Sequence, residues 1–461
     1  MSTAPPNGDE KEFTGEDVKA EVATEENDTK ETPGTWFMEE KRLVRKLDVL
    51  IMPIMCLLYL FAYLDRSNLG NARDALGGDP TGVLYDWVNS AFFFAYIIFL
   101  VPATICSKLV APHIWLSIVA IGWGTTSTLM STGFDFGGLM TARVFLGIFE
   151  AGFGPVIPLY FSLWPTGSVF AAIAGAFGGI IAFGIQNAIL PFSNWRLSFH
   201  CRAVCLGIAT FFFLPDRPES TRYLNERERE IALARMNRGT SGDVAHIWMA
   251  FRDWRVYCGG VIYFAWSCSL ASISAFLPTI LETFGISNSK VQLMTIPPYA
   301  VAAAVLALSS WTSDKLQSRG IPIALAASVG GVGYLILLVV PTNLHVRYFA
   351  TFCITSGTYP CISLITTWFA HNLGSETKKA TGIPMFMAIG QCGSILGSHL
   401  FPATEVCCGL EFFGVICTII MTISYRMENA RRNKEYGIPQ KDARVDVALL
   451  ADKAPCFRYT V

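Results

Sequence analysis

The stretch LDVLIMPIMCLLYLFAYL, residues 47–64, decides what kind of chain this is. Apart from Asp48 it carries no charge. Wound as a helix, it is long enough to cross about 30 Å of hydrocarbon. Four cations, Lys41, Arg42, Arg45 and Lys46, stand directly before it. The residues upstream are acidic and polar and are interrupted by Pro5, Pro6, Gly8, Pro33 and Gly34, so residues 1–40 are expected to form a disordered tail. A secretory leader would set a basic start against a short apolar run near the N-terminus, and that arrangement is absent from the first forty residues.

The same pattern recurs downstream. Apolar segments fall near 84–105, 114–132, 137–164, 168–190 and 199–214, and again near 257–280, 293–311, 321–341, 345–370, 380–402 and 409–425. Six precede a polar stretch and six follow it. The expectation is an all-α polytopic membrane protein of about twelve transmembrane helices in two six-helix bundles. Its organisation is a tail (1–40), an N-terminal bundle (41–214), a central loop (215–256), a C-terminal bundle (257–425) and a second tail (426–461). Composition agrees: of 461 residues 52% are hydrophobic and only 15% charged, and the mean hydropathy is +0.42. An ordinary soluble domain of this size needs more charge to cover its surface.

Basic residues set the orientation. Lys108, the cluster from Arg217 to Arg255, Lys315 with Arg319, Lys378 with Lys379, and Arg426, Arg431 and Arg432 fall on alternate loops and the second tail. The opposite loops are nearly bare, so the positive-inside rule predicts both termini in the cytosol. The formal net charge of −1 gives no reason to expect a nucleic-acid partner. Thirteen cysteines are scattered without metal or disulfide spacing and read as packed thiols. No metal, no cofactor and no enzyme constellation is expected, and the partners are the lipid bilayer and a small solute, with the chain acting as a monomer.

Charge at membrane depth costs about 2.5–3.5 kcal/mol per residue on insertion scales, so each instance needs a reason. Arg143 and Glu150 lie seven residues apart in the fourth segment, on one helical face and two turns, about 10.5 Å, from each other. Arg66, beside Asp65, sits where the first helix continues through Ser67 and Asn68. One reading makes Arg66 and Arg143 receptors for an anionic substrate, since a guanidinium holds a carboxylate through two parallel hydrogen bonds. The other is internal pairing, Arg66 with Asp65 and Arg143 with Glu150. Glu150 is the candidate proton carrier, because a carboxyl withdrawn from water can load and unload near neutral pH. Asn89, Tyr96, Tyr359, Asn372 and Gln391 are candidates to line a cavity, against the alternative that they only join helices.

Several stretches together resemble a known family. YLDRSNLGNA (63–72), WVNSAFFFAYIIFLVPAT (87–104), ARVFLGIFEAGFGPVIPLYFSLW (142–164), GAFGGIIAFGI (175–185), LPDRPESTRYLNERE (214–228), SGTYPCISLITTWFAHNLGSETKKATGI (356–383) and the closing FRYTV are similar to the fungal anion:cation symporters of the major facilitator superfamily. The resemblance implies proton-driven uptake of a small carboxylate such as nicotinate, allantoate or pantothenate at the plasma membrane. It further implies Arg66 and Arg143 as anion contacts and Glu150 as proton site. WTSDKLQSRG (311–320) resembles the superfamily's gating motif, with Asp314, Lys315 and Arg319 at its charged positions. The chain departs from the family pattern at Leu100, where a glutamate is usual, after Trp164, where a basic loop is missing, and between Phe401 and Phe412, where a stretch is lost. The sixth helix also looks short, its uninterrupted apolar part running only from Ala203 to Leu214. These departures keep a non-transporting sensor or an inactive relative on the same fold as the alternative.

Overall fold

The computed structural model describes residues 33–67, 83–130, 136–162, 195–217, 219–236, 244–282, 288–316, 318–340, 342–399, 404–438, 451–455 and 457–461. Among them every regular element is helical. In chain order these are α1 (Pro33–Ser67), α2 (Val83–Ser107), α3 (Pro112–Met130), α4 (Phe136–Ala151), α5 (Val156–Ser162), α6 (Trp195–Phe213) and α7 (Glu226–Met236). There follow α8 (Val244–Phe251), α9 (Trp254–Glu282), α10 (Asn288–Leu316), α11 (Gly320–Val339), α12 (Leu344–Asn372), α13 (Glu376–His399), α14 (Thr404–Tyr436) and a short 3-10 turn, Ala451–Lys453. By contact the chain divides into two units, residues 1–46 and 47–461. The packing below concerns the second.

Six of the described helices are long and apolar enough to cross a bilayer. Their exposed faces are hydrophobic: Phe94 and Ile98 on α2, Leu325, Val329 and Val332 on α11, and Ile416, Ile420 and Ile423 on α14. Water would penalise such stripes, whereas hydrocarbon does not, so these faces belong against lipid. Lipid offers no hydrogen bonds, so hydroxyls within the helices turn to their own backbone. Thr104, Thr126, Thr210, Thr418 and Thr422 each donate to the carbonyl four residues back.

Helices α2, α3, α4 and α6 pack into one group and α9 to α14 into another, and the two groups meet where α2 lies along α13 and where α5 touches α12 and α13. The expected fifth segment, 168–190, lies outside the described residues. The fourth, expected as one helix over 137–164, is broken: α4 ends at Ala151, Gly152 to Pro155 form turns, and α5 starts at Val156. The sixth is a 19-residue helix because α6 begins at Trp195 and takes in His200 and Arg202, but its apolar part among the described residues is only Val204–Phe213 and it is not one of the six. The expected central loop contains α7 and α8.

The described parts of the second tail are packed. α14 runs on past Tyr425 to Tyr436, and residues 451–455 and 457–461 fold back onto the ends of α9, α12, α13 and α14. Tyr459 donates its N–H to the Asn429 side chain, which returns a bond to the Tyr459 carbonyl. Its ring stacks on Tyr425 with centroids 4.8 Å apart. The guanidinium of Arg255 lies 4.4 Å from the ring centre. Lys378, 1% exposed, bridges Asp253 and Asp452, at 2.6 Å to each. Arg432 donates to the carbonyls of Asp452 and Phe457. Gly374, at φ 74°, turns the chain between α12 and α13 where the Asp452 main chain presses against it, a place with no room for a side chain.

Candidate functional site

Arg143 and Glu150 both lie on the buried face of α4, at 1% and 0% exposure, in the company of Leu139, Ala142, Leu146 and Gly147. Gly147 between them brings α4 against α2 so closely that a Cβ there would collide with the Phe92 carbonyl oxygen. Four turns of apolar sequence would ordinarily continue this helix, yet it stops one residue after Glu150.

The break is written in Glu150-Ala-Gly-Phe-Gly-Pro155. Pro155 has no N–H to give and disfavours helix in the residue before it, while Gly152 and Gly154 weaken the turn they occupy. The N–H groups of Phe153 and Gly154 both reach the Glu150 carbonyl, at 3.0 and 3.2 Å. The carbonyl of Gly152 is taken by the Trp115 indole N–H of α3 at 2.8 Å. Neighbouring side chains thus satisfy backbone that the break releases, the condition for an interrupted helix in a membrane. Gly154 faces the Tyr96 hydroxyl of α2, 2.5 Å from where a Cβ would sit, with the Met387 methyl of α13 at 4.0 Å. Glu150 therefore sits at the start of a break that reaches across to the other half of the molecule.

The other expected site residues fall in different places. Arg66 is on the last turn of α1, and its side chain, like that of Asn89, lies outside the described residues. Tyr96 is buried and stacks with Phe92, centroids 5.6 Å apart. Tyr359 is half-buried, its ring edge-on to Tyr299 at 5.8 Å. Gln391 is buried on α13. Asn372 sits at the end of α12 and spends its amide on the tail, donating to the Thr460 carbonyl at 3.0 Å and accepting the Thr460 N–H at 2.8 Å. In the gating motif, Arg319 pairs with Asp314 at 3.0 Å and is 3% exposed. Lys315 lies over the Trp311 ring at 5.0 Å.

Two features escaped sequence reading. Lys108, after α2, donates to the Thr377 hydroxyl at the start of α13 at 2.7 Å, while Arg217 holds the Lys108 carbonyl at 3.0 Å. Burial holds the Lys108 ammonium below the usual lysine range; Glu376 works against that and Arg217 adds to it. This bond ties the two halves together at the end of the molecule rich in basic residues. The second is Glu411, wholly buried on α14. Its signal was present, a lone acid inside the 409–425 apolar run.

Two groups of helices, six of whose members are long and apolar enough to cross a bilayer, meeting at an interrupted helix with buried ionisable side chains are the build of a secondary transporter. The chain belongs to the major facilitator superfamily, whose family model (Major Facilitator Superfamily) matches residues 55–398. It is therefore a multi-pass membrane transporter rather than an enzyme. Among known proteins it is similar to the major facilitator-type transporter hxnP of Emericella nidulans, 32% identical over 460 residues that cover 91% of this chain and 93% of that one. The high-affinity nicotinic acid transporter of Saccharomyces cerevisiae is 26% identical over 488 residues, covering 96% and 90%. Among solved structures, the proton:xylose symporter XylE superimposes with a TM-score of 0.63 at 14% identity, covering 83% of this chain and 96% of that one, a likeness of fold.

Proposed function

We propose that this transporter is a proton-coupled importer of a small organic anion, a carboxylate of the size of nicotinate, allantoate or pantothenate, working by alternating access in the plasma membrane with both termini in the cytosol. The observation that carries the reading is the pair Arg143 and Glu150, buried on one face of a helix that breaks where the two halves meet. A fixed cation there receives the substrate's carboxylate, with Arg66 as its second contact. Glu150 carries the proton. Tyr96, Gln391 and Tyr359, with Asn89, complete the lining, and Asp314, Lys315 and Arg319 belong to the gate. The likeness to a nicotinic acid transporter supports the choice of substrate class.

Proton coupling also fits the electrical cost. Bringing one negative charge inward against 100 mV costs about 2.3 kcal/mol, which a co-transported proton cancels.

The test is uptake of radiolabelled nicotinate, allantoate and pantothenate by cells expressing the chain. Uptake of one of them should rise as external pH falls and collapse with an uncoupler. Arg143→Gln should abolish it at unchanged surface expression, and Glu150→Gln should leave exchange but remove the pH dependence. Equal uptake at acid and alkaline pH would exclude the coupling, and full activity of Arg143→Gln would remove that residue from the site.

A further inference from the structure

Glu411 occupies the interior of the second helix group, on α14, where α9, α11 and α12 close around it. One close hydrogen bond holds its carboxyl: Oε1 lies 3.1 Å from the Thr358 hydroxyl of α12, while Oε2 has no close partner among the described residues. The same Thr358 hydroxyl lies 2.9 Å from the Ile354 carbonyl oxygen. A threonine hydroxyl owns one hydrogen. The Ile354 carbonyl can only accept, so Thr358 gives its one hydrogen either to Ile354 or to Glu411; when it goes to Ile354, the shorter of the two contacts, the contact with Glu411 is a hydrogen bond if a protonated Glu411 donates. The surroundings decide between the two.

The titratable groups facing Glu411 are Tyr334 of α11, Cys268 of α9, Cys361 of α12 and Cys407 and Cys408 of α14. None of them is a cation. Along α12 the nearest is Arg347, eleven residues before Thr358 and so about 16 Å away along the axis. On the remaining side the Trp266 indole N–H and the Ser269 hydroxyl of α9 are turned toward the carboxyl as donors; these ease a negative charge there but carry no positive charge to balance it. Among the described residues a carboxylate here would be a buried charge without a counter-ion, an arrangement that is costly in a membrane interior.

We propose that Glu411 is a second proton-binding site, loaded in this conformation and donating through Thr358 to Ile354. It binds a proton from water and returns it to water, alternating between carboxylic acid and carboxylate. Its bond partner sits on a different helix, so any shift of α14 against α12 breaks the donor–acceptor pair and, by admitting water, favours release. The role of this proton in transport rests on the proton-coupled reading above; its presence on Glu411 does not.

Infrared difference spectra of the purified full chain in lipid nanodiscs test it directly. At neutral pH the wild type should show a protonated-carboxyl band that Glu411→Gln lacks, that shifts in Thr358→Val through loss of the hydrogen-bond acceptor, and that diminishes as pH is raised. No difference between wild type and Glu411→Gln in that band, an unmoved band in Thr358→Val, or a band that persists to strongly alkaline pH would each overturn the proposal. In proteoliposomes with an imposed proton gradient and labelled nicotinate, Glu411→Gln should exchange but not accumulate, and accumulation equal to wild type would remove Glu411 from coupling. A wild type that transports but never responds to the gradient would defeat the earlier reading alone, leaving the spectroscopic result to stand or fall by itself.

Discussion

Gly147 shows how one residue fixes the position of the candidate site. It separates Arg143 from Glu150 on the same face of α4, and its missing side chain lets α4 lie directly on the Phe92–Tyr96 stretch of α2. Adding a methyl there meets backbone, which cannot rotate aside as a flexible side chain would. Gly147→Ala should therefore force the helices apart at a cost of about 1–3 kcal/mol, lowering the thermal midpoint of the detergent-solubilised protein. Gly137→Ala, earlier on the same helix with nothing within 4 Å of the new Cβ, is the control and should leave the midpoint unchanged or slightly raised. Equal effects of the two would show that the close approach is not what holds α4. Arg143 and Glu150 were legible from sequence because charge in an apolar run stands out. Asn372 shows the limit, for its polar amide in a helix end says nothing of a partner 88 residues away.

Helices were legible for a physical reason: a bilayer leaves the backbone few alternatives, so an apolar run of sufficient length nearly dictates its own structure. The break after Ala151 was less so, because Gly152, Phe153, Gly154 and Pro155 are apolar and vanish into a hydropathy window even though their backbone preferences oppose helix. The folded tail was not legible at all. Its bonds join Tyr459 to Arg255 and Asp452 to Lys378, residues far apart in sequence, and no local pattern announces them. Burial, reinforced by Asp452, holds the Tyr459 hydroxyl above the usual tyrosine range, with Arg255 and Arg432 opposing. The sign follows from linkage. The folded form keeps a proton that the unfolded chain releases near pH 10, so the tail's contribution is whole below about pH 10 and is lost as pH climbs toward the raised value. Thermal midpoints of wild type should fall more steeply in that alkaline range than those of Tyr459→Phe. The variant starts lower, by about 1 kcal/mol for its missing hydroxyl bonds. Parallel alkaline slopes would mean that Tyr459 does not govern the fold-back.

For the whole molecule, the described contacts between the two helix groups run along α2 and α13, with α5 reaching α12 and α13, and the Lys108–Thr377 bond closes the end rich in basic residues. In an alternating-access cycle this closure is one of two states, since a solute released at that end must pass between the groups. The bond is suited to opening: it joins one partly buried ammonium to a neutral hydroxyl, a contact of modest net strength that water can replace. By contrast, the Lys378 pairings with Asp253 and Asp452 lie wholly on the second group's side and have no reason to part. Cysteines placed at 108 and 377 in a background stripped of native cysteines should cross-link with a short reducible reagent and stop uptake, and reduction should restore it. A cross-linker long enough to span the open gap should leave uptake intact. Cysteines at 253 and 378, cross-linked in the same way, should leave transport running, because that pair moves as one body. If the short link between 108 and 377 forms completely and uptake continues at the wild-type rate, the two groups do not separate at this end, and the substrate must leave by another route.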